Sequence, residues 1–254
     1  MPTVVIHGQE LFYARHTTSA ENADDVILVH GAGGSRLVWP APLRRLSGAT
    51  VYVLDLPGHG RSAGPGRTSI EAYAGIVASF IEQLSLAPAI VIGHSMGGAI
   101  TQLLGLEYPS LLKGIVLLAT GARLRVAPAI LEQLRSDFAA GAGAVLRHYW
   151  GPDAPDALIE SGRRLLMQSD HDVVYGDFVA CDAFDVTRRL PSITVPALVI
   201  SGTADRLTPE KSGRYLADHL PDARLTIIED GGHMWMLEKA HLVTSAVKQF
   251  VEEL

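Results

Sequence analysis

Short runs of valine, isoleucine and leucine recur along the chain, separated by stretches whose apolar residues return every three or four positions. Residues 4–6 and 11–15, on either side of His7-Gly8-Gln9-Glu10, predict an opening hairpin. The later runs, at 26–30, 51–56, 89–93, 114–119, 197–201 and 225–229, are almost continuously apolar. Strands buried on both faces of a mostly parallel sheet read this way, because helices cover each side. The pattern therefore predicts an α/β fold with an eight-stranded, mostly parallel sheet.

Helical signals fill the gaps. Thr68-Ser69-Ile70-Glu71 has the capping-box pattern, and Ile70, Tyr73, Val77, Phe80, Ile81 and Leu84 follow on one face. A helix is expected over 96–108, stopping before Pro109. Thr208-Pro209 offers a cap and a first-turn proline ahead of 215–220, and a last helix spans about 240–253. One stretch breaks the alternation: residues 122–192 hold no strand-like run and turn helical with Gly and Pro interruptions. That length far exceeds an ordinary connection. It is read as a helical cap inserted after the sixth strand, over the sheet's C-terminal edge, with residues 1–121 and 193–254 forming the core domain.

Composition narrows the class. The 254 residues are 48% hydrophobic and 19% charged, with a net charge of −6, as in soluble globular proteins with a large buried sheet. No block of like charge suggests nucleic acid or an anionic membrane as partner. No run approaches the length of a membrane-spanning helix, and Met1-Pro2-Thr3-Val4 lacks a secretory pattern. The lone cysteine, Cys181, excludes an internal disulfide framework and fits a cytoplasmic setting. A monomer or homodimer is expected.

The chemistry begins at Gly93-His94-Ser95-Met96-Gly97-Gly98, directly after the apolar run ending at Ile92. A G-x-S-x-G spacing where a strand ends and a helix begins suits a tight turn that lifts a serine hydroxyl clear of the sheet. A serine hydroxyl at neutral pH needs a base within reach and an acid to orient that base. Among the ten histidines, His233, after Gly231-Gly232 and the last strand, is the favoured base. His30 and His94 read as structural or wall residues, and His59 as a tie for a surface loop. Asp205, in Gly202-Thr203-Ala204-Asp205, is the favoured acid over Asp230, which shares the histidine's loop, and Glu210, which belongs to a helix.

Backbone N–H donors for a negative oxygen are expected from Met96, at the helix start, and from Ala32, in His30-Gly31-Ala32-Gly33-Gly34. That glycine turn lacks the spacing of a nucleotide loop. No metal-ligand spacing occurs, no cofactor is implied, and Cys181 reads as buried filler. Trp39, Trp150, Met234 and Trp235 are candidate walls of an apolar substrate pocket.

Five motifs in order resemble the α/β-hydrolase family: His30-Gly31-Ala32-Gly33-Gly34-Ser35 with Trp39, Asp55-Leu56-Pro57-Gly58-His59-Gly60-Arg61-Ser62, Gly93-His94-Ser95-Met96-Gly97-Gly98, Gly202-Thr203-Ala204-Asp205, and Gly232-His233. The chain looks like a small bacterial-type carboxylesterase with a helical cap. The resemblance implies a Ser95, His233 and Asp205 triad, an oxyanion hole at Ala32 and Met96, and a small ester or lactone as substrate. Ser95 stands where haloalkane dehalogenases and epoxide hydrolases carry aspartate, and Ala32 departs from the triple-glycine turn of lipases that accept bulky alcohols. The same machinery would serve an enol-lactone hydrolase, a C–C bond hydrolase or a cofactor-free perhydrolase. A ligand-binding protein that kept the fold without turnover is the reading from another class.

Overall fold

The first two strands, β1 (Thr3–Ile6) and β2 (Gln9–His16), pair antiparallel through a two-residue turn in which His7 and Gly8 both take positive φ, 49° and 77°. The expected four-residue linker is shorter because Gln9 and Glu10 already sit in the ladder. A turn with both central residues left-handed matches the twist of the flanking strands. The computed structural model describes residues 2–17 and 23–254; Met1 and residues 18–22 lie outside the description.

From there the chain winds β3 (Asp24–Val29), α1 (Ala41–Arg44), β4 (Ala49–Leu54), α2 (Ile70–Gln83), β5 (Ala89–His94), α3 (Met96–Glu107) and β6 (Leu112–Leu118). Four helices follow before the sheet resumes: α4 (Pro128–Ser136), α5 (Phe138–Leu146), α6 (Asp156–Met167) and α7 (His171–Ala183). The chain closes with β7 (Ala197–Gly202), α8 (Glu210–His219), β8 (Ala223–Ile228), α9 (Trp235–Glu238) and α10 (Ala240–Glu252). Among the described residues the eight strands make one sheet in the order β1-β2-β4-β3-β5-β6-β7-β8. β2 pairs antiparallel with β4, and β4 through β8 pair parallel.

The buried side chains divide by sheet face. Ile27, Val29, Val91, Ile115 and Leu117 join Tyr73, Val77, Phe80 and Ile81 of α2 and Ile100 and Leu104 of α3 on one side. Val26, Leu28, Ile90, Ile92 and Val116 join Leu43 of α1 and Val243, Val247 and Phe250 of α10 on the other. Alternate residues of one strand thus serve opposite faces, which is why each central strand reads as a continuous apolar run. The helices between β6 and β7 carry a small core of Leu134, Phe138, Ala142, Leu166 and Val174. Ala180 and Cys181 of α7 instead join the main core. Helix α7 is therefore built into the sheet domain at its C-terminal end, while α4 to α6 lie farther out.

The parallel strands all deliver their C-terminal ends to the same edge, where open α/β sheets gather their ligand sites. Leu28 is fully buried at the centre of this arrangement. Leu28→Ala is expected to cost about 2–5 kcal/mol of stability, read as a lowered urea midpoint with an unchanged slope.

Candidate active site

Ser95 occupies the turn between β5 and α3 with φ 55° and ψ −115°, a left-handed conformation for a residue with a side chain. Such strain persists only where the surroundings over-determine it. Here the Ser95 N–H donates to Leu118 O at 2.9 Å, its carbonyl accepts from Gly98 N–H at 2.9 Å, and Thr120 Oγ donates to the same carbonyl at 2.9 Å. The flanking glycines are required by space: a Cβ on Gly97 would fall on the Val29 carbonyl, and one on Gly93 would fall on the Gly97 carbonyl. Met96 opens α3, and the first N–H groups of a helix have no acceptor within it.

The loops after β7 and β8 meet beside this turn. Asp205, 4% exposed, accepts from Leu207 N–H and Thr208 N–H at 2.9 Å each on Oδ1. Its Oδ2 lies 2.9 Å from His233 Nδ1 and accepts from Thr208 Oγ at 2.7 Å. Burial alone would raise the Asp205 carboxyl; the His233 charge, with the hydrogen bonds from His233 and Thr208, outweighs it and holds the group below its ordinary value. Asp230, the rival acid, is exposed at a positive-φ position, and Glu210 is the first residue of α8.

The histidine loop is clamped from three sides. His94 Nε2–H donates to His233 O at 2.9 Å, and Met234 N–H donates to Tyr149 O at 2.9 Å. Glu238 accepts from Gly151 N–H at 3.2 Å and Gly232 N–H at 3.4 Å. The Tyr149 ring also lies 5.8 Å from the His233 ring.

Ser95, His233, Ala32 and Thr208 all line one cavity of about 560 Å³. Ile130, Val145, Leu158, Leu165, Leu166 and Phe178 of α4 to α7 line it as well, beside polar groups that include Arg123, Arg125, Gln168 and Asp170. Among the described residues no group of three or more His, Cys, Asp or Glu side chains could hold a metal ion, and no helix is long and apolar enough to cross a membrane. A serine on a strained turn, a buried carboxylate-oriented imidazole and a cavity that both border are parts that acyl transfer requires.

The α/β-hydrolase family model matches residues 26–246, most of the chain. The chain belongs to the α/β-hydrolase family. It is 30% identical over 249 residues to a Mycobacterium tuberculosis protein that bears the name of a non-heme bromoperoxidase, covering 89% of this chain and 93% of that protein. A pimeloyl-[acyl-carrier protein] methyl ester esterase of Neisseria meningitidis is 30% identical over 245 residues, with 89% and 93% covered. The enol-lactonase of Burkholderia xenovorans superposes with a TM-score of 0.92 at 30% identity, over 99% of this chain and all of that one.

Within this α/β-hydrolase the four candidate wall residues separate. Met234 lines the cavity. Trp39 and Trp235, 1% and 0% exposed, instead pack in the core beneath α1 and α10, and Trp150 packs against that same cluster outside the cavity lining. A tryptophan near the sheet edge can bury its ring downward as readily as toward a ligand, and these three corrections follow from that. His59 ties its loop down as expected, through Pro57 O and the buried Asp177 carboxylate, and is itself buried, 3% exposed. Cys181 is buried yet borders the cavity, and burial pushes its thiol up. Thr208 was expected only as a helix cap; its hydroxyl serves Asp205, a role that its place before Pro209 disguises.

His94 lies within the wall, and burial lowers it from 6.5 to about 3, with the His233 charge adding to the effect. The unfolded chain therefore takes up a proton near pH 6.5 that the folded state refuses until about pH 3. Stability contributed by neutral His94 is full above pH 6.5 and falls on acidification, at up to about 1.4 kcal/mol per pH unit. His94→Gln, which keeps a donor for His233 O, should reduce the slope of unfolding free energy between pH 6 and pH 4.5 by about one proton. Urea titrations across that range measure it.

Proposed function

We propose that the protein is a serine hydrolase of small carboxylic esters, working through Ser95, His233 and Asp205. The observation that carries this reading is the buried 2.9 Å bond from His233 to Asp205 at the rim of the cavity that Ser95 lines. With Nδ1 committed to Asp205, Nε2 is the nitrogen that takes the Ser95 proton. Ser95 Oγ attacks the ester carbonyl carbon, and the carbonyl electron pair moves onto oxygen, giving a tetrahedral oxyanion. The Ala32 and Met96 N–H groups stabilise that charge, aided by the α3 N-terminus. His233 returns its proton to the departing alcohol as the C–O bond breaks. Water, deprotonated by the same imidazole, then cleaves the acyl-enzyme and frees Ser95.

The helices over residues 122–192 act as the lid, and their apolar side chains set acyl-chain preference. A second reading, an enol-lactone as substrate, is favoured by the full-length likeness to the Burkholderia enol-lactonase. Ring opening of a lactone uses the same attack, with the leaving oxygen tethered to the acyl group.

Ser95→Ala is expected to lower turnover of p-nitrophenyl butyrate by several orders of magnitude, and Asp205→Asn by roughly 10³–10⁴-fold. Retained turnover in folded Ser95→Ala protein would remove the assignment. Phe178→Ala, which enlarges the wall contributed by α7, should raise kcat/KM for hexanoate relative to acetate esters. An unchanged chain-length profile would take Phe178 out of the acyl pocket.

A further inference from the structure

Asp177 is a carboxylate that the proposed reaction leaves unused. It lies within α7, is fully buried, and accepts three hydrogen bonds from the sheet domain. Gly33 N–H donates to Oδ2 at 2.8 Å, His59 Nε2–H donates to Oδ2 at 2.7 Å, and Tyr73 O–H donates to Oδ1 at 2.7 Å. His59 Nδ1 meanwhile lies 3.0 Å from Pro57 O, so both ring nitrogens face acceptors, an arrangement that favours the charged ring. Burial opposes that charge, but the Asp177 carboxylate and these hydrogen bonds outweigh it and raise His59 above its ordinary value.

Gly33 follows Ala32 directly, and α6, α7 and the link between them hold it from both ends of its backbone. Its N–H goes to Asp177, and its carbonyl lies 3.2 Å from Ser169 Oγ in the segment between α6 and α7, sharing that hydroxyl's one proton with Leu165 O at 3.0 Å. Its φ is 63°, and a Cβ there would meet Leu166 of α6 and Val174 of α7. The same turn is closed internally by Gly34 N–H donating to Gly31 O at 3.0 Å, with His30 Nδ1–H on that oxygen at 2.8 Å. The Gly33 N–H shares its peptide with the Ala32 carbonyl, so Asp177 fixes the plane next to the one that carries the Ala32 N–H, and Ser169 lies against the plane that follows.

We infer that Asp177 is a positioning residue: through the Gly33 amide it sets the turn that aims the Ala32 N–H at the reacting oxygen, so the oxyanion site is complete only with α7 docked. This inference rests on the serine-hydrolase reading. An interaction realised only in the transition state acts on kcat and leaves KM alone.

The test compares Asp177→Ala, Asp177→Asn and Ser169→Ala with the unmodified protein in kcat, KM and inhibition by an alkyl trifluoromethyl ketone. Ser95 Oγ adds to the ketone carbon, its proton passes to His233, and the carbonyl pair becomes an oxyanion, so the inhibitor reports the oxyanion site. For Asp177→Ala, kcat should fall about 100-fold with KM within about twofold, and ketone affinity should fall in parallel with kcat. Asp177→Asn keeps an oxygen toward Gly33 N–H and should recover roughly tenfold of that loss. In Ser169→Ala, which leaves the buried pair intact, kcat and ketone affinity should fall together severalfold.

A folded Asp177→Ala protein with unchanged kcat, or one whose loss lies in KM alone, overturns the inference. If neither Asp177 variant folds, Ser169→Ala decides it, and unchanged kcat and ketone affinity there overturn it. Failure of the ketone to inhibit the unmodified protein would instead reject the serine reading. Inhibition of the unmodified protein and of Asp177→Ala with equal affinity rejects only the role of Asp177.

Discussion

The close approach of α3 to β3 is the constraint from which the site follows. Gly97 sits so near the Val29 carbonyl that no side chain fits between them, and Gly93 is pressed equally hard against Gly97. That packing forces the chain to reverse within one residue, and Ser95 takes the left-handed conformation because nothing else connects β5 to α3 at this separation. The hydroxyl is thereby delivered to the edge at which β3, β7 and β8 also end. The loop after β3 carries Ala32, the loop after β7 carries Asp205, and the loop after β8 carries His233.

Loops alone would not hold such an arrangement, and buried polar groups do. Asp205 organises its own loop by accepting from Leu207 and Thr208 before it meets His233. His94, kept neutral by burial, and Glu238 fix the backbone on either side of His233. Each acceptor satisfies N–H groups that would otherwise be buried without partners, so the loops are as determined as the strands they follow. Apolar side chains of α4 to α7 border the same space.

Much of this was legible in the residues. Doubly buried strands leave uninterrupted apolar runs, and a turn that admits only glycine leaves glycines at a set spacing, so the sheet and the Ser95 turn declared themselves. Strand ends shifted by a residue or two: the run at 51–56 becomes Ala49–Leu54, as the chain turns off at the carboxylate of Asp55, which binds Arg36 and the Arg61 N–H. Trp39, Trp150 and Trp235 misled because an apolar ring fits a core and a pocket wall equally well, and periodicity tells inward from outward but not core from cavity. Asp177 gave no signal at all. An acid within a helix reads as solvated surface, and its three partners stand 144, 118 and 104 positions away in the chain.

The central claim is that Ser95 carries the acyl group between two half-reactions. Rapid-quench mass spectrometry of the protein mixed with p-nitrophenyl butyrate addresses it directly. A transient mass gain of one butyryl group, mapped to the peptide containing Ser95 and lost as butyrate accumulates, is the result the account predicts. Full turnover with no acylated protein at any time, or with the butyryl group on a different residue, would contradict it.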